Sequence, residues 1–314
     1  MKHTLFALAI FMLACLPARA QTGGFAAGAN AAQLGERLFF IVDEGAQRAL
    51  VKVDPAGKAV LAARADDMES LLHHEGFLYY LKQSGGAWSL MRRGEAPGET
   101  ERHAFSEGAR ARALATDGEN LFALVDDQLH ILYPDQALCL KLAGARMREY
   151  VIADDYAYFI SATDIISYEL PAPEGEPARG EAGCLYRLNL STGNTSLVLK
   201  AGVQDLKLYE GRLYFHNLAD GYRAGETRVA GKLYAFDLAT ETLARELDDY
   251  DWDYFPAPGG LIVRRAGEIV LLTPAGEARA LAQVDARAEV AYVEGVLLIY
   301  DPDGLSFFSV DIEP

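Results

Sequence analysis

The chain has 314 residues, 51% of them hydrophobic, with 29 Lys and Arg against 45 Asp and Glu, a formal net charge of −16. Such a surface repels phosphate backbones and anionic lipid heads, so no nucleic-acid partner is expected, and the acidity reads most simply as solubility.

Residues 1–20 read as a secretory leader. Lys2 supplies the positive end, residues 5–16 the apolar stretch, and Ala18-Arg19-Ala20 a small-residue cleavage site. The stretch is too short to span a bilayer, and no later apolar run approaches spanning length. Met12-Leu13-Ala14-Cys15 loosely resembles a lipoprotein processing motif, but Cys15 is misplaced for cleavage after Ala20. The expected mature chain, 21–314, carries 27 basic and 45 acidic residues, a formal net charge of −18. It is expected to be secreted or periplasmic, and a monomer. Cys139 and Cys184 survive processing and stand near strands about one repeat apart. They can bridge in an oxidising compartment or stay as two buried thiols, and two lone cysteines make no metal knuckle.

One sentence recurs along the mature chain: an acidic or small residue, a Gly or polar residue, then an apolar-aromatic triplet. In chain order the triplets centre on Phe39, Tyr79, Phe122, Tyr158, Tyr214, Ile262 and Leu298. Their spacings are 40, 43, 36, 56, 48 and 36, with a mean of about 43, which suits one four-stranded propeller blade. A second strand follows each triplet, over residues 50–54, 88–92, 129–132, 184–190, 232–238, 269–272 and 305–311. A third is expected at 59–63, 101–105, 195–199 and 277–281. A fourth precedes the next triplet at 68–72, 112–114, 204–208 and 289–293. Turn residues mark the joints, as in Asp54-Pro55-Ala56-Gly57 and Thr273-Pro274-Ala275-Gly276. Residues 107–115 could form a helical turn, but their place in the repeat predicts a strand.

The expected fold is therefore all-β: a single β-propeller domain over 21–314, of four-stranded antiparallel blades, seven in number, with six or eight as alternatives and an open β-sandwich behind them. Radial stacking buries both faces of each blade and limits exposed edges. Residues 24–34 are expected to complete the last blade and so tie the two termini together.

The stretch 203–241, with Leu213-Tyr214-Phe215 and Gly231-Lys232-Leu233-Tyr234-Ala235-Phe236-Asp237-Leu238, resembles a family of secreted bacterial propellers named for their likeness to the propeller of low-density-lipoprotein-receptor-related proteins. Gly183-Cys184-Leu185-Tyr186-Arg187-Leu188-Asn189-Leu190 fits equally well. The Tyr-Trp-Thr-Asp signature of the receptors is absent, so the receptors' ligand modes do not carry over. The resemblance implies a propeller and no common activity.

Catalytic signatures are missing: no His-Glu-x-x-His, Gly-x-Ser-x-Gly or Gly-x-Gly-x-x-Gly occurs. Residues 225–232 only faintly resemble a phosphate loop. His73 and His74 would point to opposite faces of a strand, and Asp301-Pro302-Asp303-Gly304 lacks the full calcium-loop spacing. No cofactor or metal is expected.

Loop length is more informative. Inner-to-outer strands A to D alternate direction, so B–C loops and D–A crossings share one face. The A–B turns are short: Glu75-Gly76, Asp117-Gly118, Glu210-Gly211 and Glu294-Gly295. The two long insertions, 161–183 and 217–230, are both B–C loops, and the next D–A crossing carries Asp248-Asp249-Tyr250-Asp251-Trp252-Asp253-Tyr254-Phe255. Long loops on a rigid scaffold are the usual way to build a site. Candidate ligand-binding residues are Asp249, Tyr250, Asp251 and Trp252 in that crossing and Asp220, Tyr222 and Arg223 in the second insertion. Aromatics stack on sugar rings or peptide side chains, and carboxylates accept hydroxyls or pair with cations. The aromatics could equally pack between blades while the acids are solvated. The expectation is a non-catalytic binding module for a peptide, partner protein or glycan. A glycosidase or lyase with paired carboxylates and a scaffold without ligand are the alternatives.

Overall fold

Each apolar triplet becomes the second strand of a sheet, and burial on both of its faces explains why the triplets do not alternate with polar residues. The computed structural model describes residues 30–54, 58–171, 178–224, 228–247, 254–265, 267–285, 288–293, 295–301 and 306–312. Residues 1–20 and the run 248–253 lie outside them.

The first sheet is β1 (Ala31–Leu34), β2 (Arg37–Asp43), β3 (Arg48–Val53) and β4 (Ala59–Ala65). The second is β5 (Asp67–His74), β6 (Phe77–Ser84), β7 (Ala87–Arg93) and β8 (Thr100–Ala104). A ten-stranded ladder follows: β9 (Ala111–Thr116), β10 (Leu121–Val125), β11 (Gln128–Tyr133), β12 (Leu138–Ala153), β13 (Tyr156–Leu170), β14 (Ala178–Asn189), β15 (Thr195–Tyr209), β16 (Arg212–Ala224), β17 (Arg228–Asp237) and β18 (Thr242–Leu247). Then come β19 (Tyr254–Ala257), β20 (Gly260–Arg265), β21 (Glu268–Leu272) and β22 (Ala278–Gln283), and last β23 (Glu289–Val293), β24 (Val296–Asp301) and β25 (Ser306–Asp311). Neighbours in every sheet are antiparallel and consecutive in the chain. Among the described residues, the one helical piece is a 3-10 turn at Pro134–Gln136. Residues 107–115 lie partly in β9, as the repeat predicted.

The long ladder divides into fours. β12 pairs with β11 from Leu138 to Arg146 and with β13 from Met147 onward. β15 pairs with β14 chiefly through Thr195–Leu199 and with β16 from Val203 to Tyr209. Each of these two strands is therefore the outer strand of one group and the inner strand of the next.

Among the described residues the interior forms seven apolar clusters, six shared by consecutive groups and one by the first and last sheets. Period-2 alternation divides each second strand between two of them. Phe39 and Ile41 face the second sheet, whereas Phe40 and Val42 face the last one. Tyr79 and Leu81 likewise part from Leu78 and Tyr80. One cluster joins Ala31, Phe40, Val42 and Ala49 of the first sheet to Ala291, Val293, Val296 and Leu298 of the last. The two ends of the chain's β-structure thus pack together, an arrangement an open sandwich does not produce. Phe40, Tyr80, Phe122 and Phe215 are fully buried, each worth roughly 1.5–3 kcal/mol by area.

Inner strands carry a recurrent irregularity. The register shifts within β5, β9, β12 and β15, and Ser70, Ala113 and Asp205 take left-handed φ values of 67°, 58° and 55°. A bulge leaves backbone groups without ladder partners, and a neighbouring inner strand supplies them. Tyr150 Oη donates to Ala113 O at 2.7 Å, Leu206 N donates to Glu149 Oε2 at 2.8 Å, and Tyr254 Oη donates to Asp205 O. Arginines add latches to the carbonyls entering the next group: Arg48 to Met68 O, Arg112 to Met147 O, Arg264 to Ala288 O.

One expectation is corrected. Residues 31–34 do not complete the last sheet; they form the inner strand of the first, with Ala31 opposite Phe40, because Ala31 on one face and Ala32 and Leu34 on the other fill two different clusters. Of the two readings open for Cys139 and Cys184, the structure holds both as free thiols: Cys139 packs in the cluster between the second sheet and the β9–β12 group, whereas Cys184 lies on β14 of the following group.

Tyr150→Phe deletes one hydroxyl and orphans Ala113 O in the interior. Urea denaturation is expected to show a loss of about 1–3 kcal/mol, with the far-ultraviolet β signature unchanged.

Candidate functional site

The bonds between inner strands all lie near where the inner segments begin, at Ala113 in β9, Glu149 and Tyr150 in the part of β12 that opens at Met147, Asp205 and Leu206 in the part of β15 that opens at Val203, and Tyr254 in β19. The starts of these inner segments therefore gather at one end of the molecule. In an antiparallel four-strand group, the connection between second and third strands emerges at that same end. Both long insertions are such connections. Neither is a loose loop: each continues its sheet as a two-stranded ribbon. In the first, β13 and β14 pair from Ile165 opposite Gly183 to Leu170 opposite Ala178. In the second, β16 and β17 pair from Tyr222 opposite Ala230 to Ala224 opposite Arg228.

The ribbon bases are built alike. Ser161 Oγ accepts from Thr163 N and Asp164 N at 3.1 and 2.9 Å, and Asn217 Oδ1 accepts from Ala219 N at 2.9 Å. Three residues past each of these, a carboxylate takes a tyrosine hydroxyl from the partner strand: Tyr186 Oη donates to Asp164 Oδ2 at 2.6 Å, and Tyr234 Oη donates to Asp220. The bond to Asp164 is the main reason the Tyr186 phenol is pushed up to about 12. The strands approach so closely that a Cβ at Gly183 would stand 1.9 Å from Ser161 O, and one at Gly231 2.5 Å from Asn217 O. Both sites require glycine. The first ribbon also leans on the crossing that enters the next group, where Gly202 N donates to Tyr168 Oη at 2.7 Å.

Below the ribbon bases lies a polar cluster on the inner strands. Lys207 Nζ meets both oxygens of Asp205 at 2.9 and 3.0 Å and stands 3.9 Å from the Tyr254 ring centroid. His216 Nδ1 lies 3.9 Å from Asp205 Oδ2, and its ring meets Tyr254 edge-on at 5.1 Å. Burial raises the Glu149 carboxyl against the opposing Leu206 N–H, and Asp205 pushes it further the same way. The ensemble gathers a cation, a compensated carboxylate and a carboxyl biased toward its neutral form around the fully buried Tyr254. That mixture suits recognition of a polar or charged group. Among the described residues, no three His, Cys, Asp or Glu side chains converge for a metal ion.

Asp220 lies exposed at the base of the second ribbon. Tyr222 and Arg223 occupy β16 positions opposite Ala230 and Val229 along the same ribbon. Asp249, Tyr250, Asp251 and Trp252 lie outside the described residues. Their run ends where β19 begins, so it adjoins Tyr254 in sequence. Sequence reasoning missed Glu149, Asp205, Lys207, His216 and Tyr254. Gln204-Asp205-Leu206-Lys207 was in fact legible as a polar pair on a strand whose equivalents are mostly apolar.

Known structures supply the comparison. The WD40 domain of Neurospora crassa Pan2 aligns with a TM-score of 0.57 at 10% identity, over 92% of this chain and 90% of that one. The β-propeller domain of the Trilobed protease from Pyrococcus furiosus, described as having an open velcro topology, aligns at 0.53 with 12% identity, over 92% and 94%. The fold is a β-propeller. A prolyl endopeptidase matches at 0.57 with 11% identity over 89% of this chain, which spans about half of that protein, 47%. No family model matches this propeller, and no curated protein matches it in sequence. Among its described residues, no helix is long and apolar enough to cross a membrane.

A test of the cluster's electrostatics follows from Glu149. Its folded pKa lies above the unfolded value, so its contribution to stability is full below the unfolded pKa and is lost as pH rises through the folded one. Glu149→Gln keeps an acceptor for Leu206 N and removes that loss. The variant's stability relative to the parent is expected to increase between pH 4 and pH 8 in urea melts, and a pH-independent difference would contradict the assignment.

Proposed function

We propose that this chain is a secreted or periplasmic, seven-bladed β-propeller of the bacterial envelope that binds a peptide, partner protein or glycan without catalysis. In this reading the leader 1–20 is removed and 21–314 form one monomeric domain, related to the receptor-propeller-like bacterial family. Seven interior clusters, each shared by consecutive strand groups and one closing first onto last, support the blade number. One observation carries the function: two neighbouring groups bear ordered β-ribbons at the end where Asp205, Lys207, His216 and Tyr254 cluster. The ribbons act as walls and the inner-strand cluster as a polar floor. Asp220, Tyr222, Arg223, Asp249, Tyr250, Asp251 and Trp252 are the proposed contact residues along the rim.

A second reading, a glycosidase or lyase with paired carboxylates, has Glu149 in its favour. A carboxyl raised beside a second acid, Asp205, is the pattern of a general acid with its partner. Glycan turnover that disappears in Glu149→Gln would select it.

The binding reading is tested by screening the protein against peptidoglycan fragments and envelope extracts, then measuring the identified ligand by calorimetry. Replacing 163–181 and 219–229 with short turns is expected to preserve folding and weaken binding by at least about tenfold, the scale of a lost hot spot. Undiminished affinity in the folded double truncation would reject the ribbon end as the site.

A further inference from the structure

The opposite end of the molecule holds a second feature. A cleft of about 500 Å³ opens between the first two sheets beside the β7–β8 turn, residues 94–99. Connections between third and fourth strands emerge at the end away from the ribbons, so this cleft and the inner-strand cluster are separate.

Its walls are basic in a chain of net charge −16. Arg37, Lys52, Arg64, Lys82 and Arg93 line it, against two acids, Glu95 and Glu99. The pairing leaves positive charge over. Glu99 serves Lys82 at 2.5 Å and Arg93 at 3.6 Å and also accepts the Tyr80 hydroxyl, so one carboxylate answers two cations. Burial would raise Glu99, but the bonds from Lys82 and Tyr80 hold it below the usual carboxylate range, so it is already committed. Arg93 is buried, gives one N–H to Ala62 O, and keeps its Nε without a partner. Arg37 reaches only a neutral carbonyl of Glu95. Lys52 pairs with no acid among the described residues. Arg64 alone is answered from outside, by Glu44 at 2.8 Å.

Apolar surface lies between these charges. Val60 and Leu61 are 41% and 47% exposed on β4, and both border the cleft together with Phe39 and Pro97. A buried guanidinium edge without a partner is costly unless something meets it. Phosphate and carboxylate oxygens match guanidinium and ammonium donors. The volume falls in the range of small-molecule pockets.

We propose that this cleft binds a small organic anion, a carboxylate or phosphate on a compact hydrocarbon body. The anionic head lies among Lys52, Arg37 and Arg93, and the body rests on Phe39, Val60 and Leu61. This proposal is independent of the ribbon-end reading.

Calorimetry at constant ionic strength with phenyl phosphate, benzoate, inorganic phosphate and benzyl alcohol tests it. Saturable one-to-one binding of phenyl phosphate or benzoate is expected, with inorganic phosphate weaker and benzyl alcohol inert. Lys52→Ala combined with Arg37→Ala touches only half-buried or exposed side chains and should weaken binding about tenfold or more, the scale of lost charge-assisted bonds. Lys207→Ala, at the other end, should leave it unchanged. Absence of any saturable anion binding tighter than about 1 mM, or equal affinity in the Lys52/Arg37 variant, would overturn the proposal.

Discussion

Burial of each second strand on both faces is the constraint from which the rest of the molecule follows. A strand such as Leu78–Leu81 has no polar face to give to water, so its sheet is stable only between two others. Among the described residues seven clusters result, and one of them joins Phe40 of the first sheet to Leu298 of the last. The outer strands are different. Val60, Leu61, Leu138, Leu140, Leu197 and Leu243 stay partly exposed on β4, β12, β15 and β18, because rim strands have neighbours on one side only.

Packing wedge-like sheets around a centre forces the inner strands close together, and there the bulges matter. Ser70, Ala113 and Asp205 turn the inner backbone through the left-handed region, and at the last two the groups released there are satisfied by Tyr150, Glu149 and Tyr254 of neighbouring inner strands. The same device that links neighbours also sets charged residues at one end. Asp205 is both a bulge residue, whose carbonyl holds Tyr254, and the carboxylate that holds Lys207. Structure and candidate chemistry share these atoms, so substitutions there will move stability and binding together.

The fold was legible in the sequence because its period is written in triplets: all seven anchors, from Phe39 to Leu298, fall on second strands. The short turns Glu75-Gly76 and Glu210-Gly211 were legible for a local reason, since left-handed φ at both positions joins two strands tightly. The ribbons were read only as length. Ser161 with Asp164 and Tyr186, and Asn217 with Asp220 and Tyr234, form a repeated base whose meaning depends on cross-strand register, which spacing alone does not reveal. The Lys207–Asp205–His216–Tyr254 cluster assembles from two consecutive strand groups, and beyond the polar pair at 204–207 its convergence depends on how those groups pack. The first strand was misassigned because Ala31-Ala32-Gln33-Leu34 is too short and too weakly patterned to fix which sheet it joins.

Closure of the first sheet onto the last is the claim on which the ring arrangement and its blade number depend. A double-mutant cycle with Phe40→Leu and Leu298→Ala, 258 positions apart in sequence, reads it out directly by urea denaturation. The shared cluster predicts a coupling energy of about 0.5–3 kcal/mol, and additivity within about 0.3–0.5 kcal/mol would contradict closure.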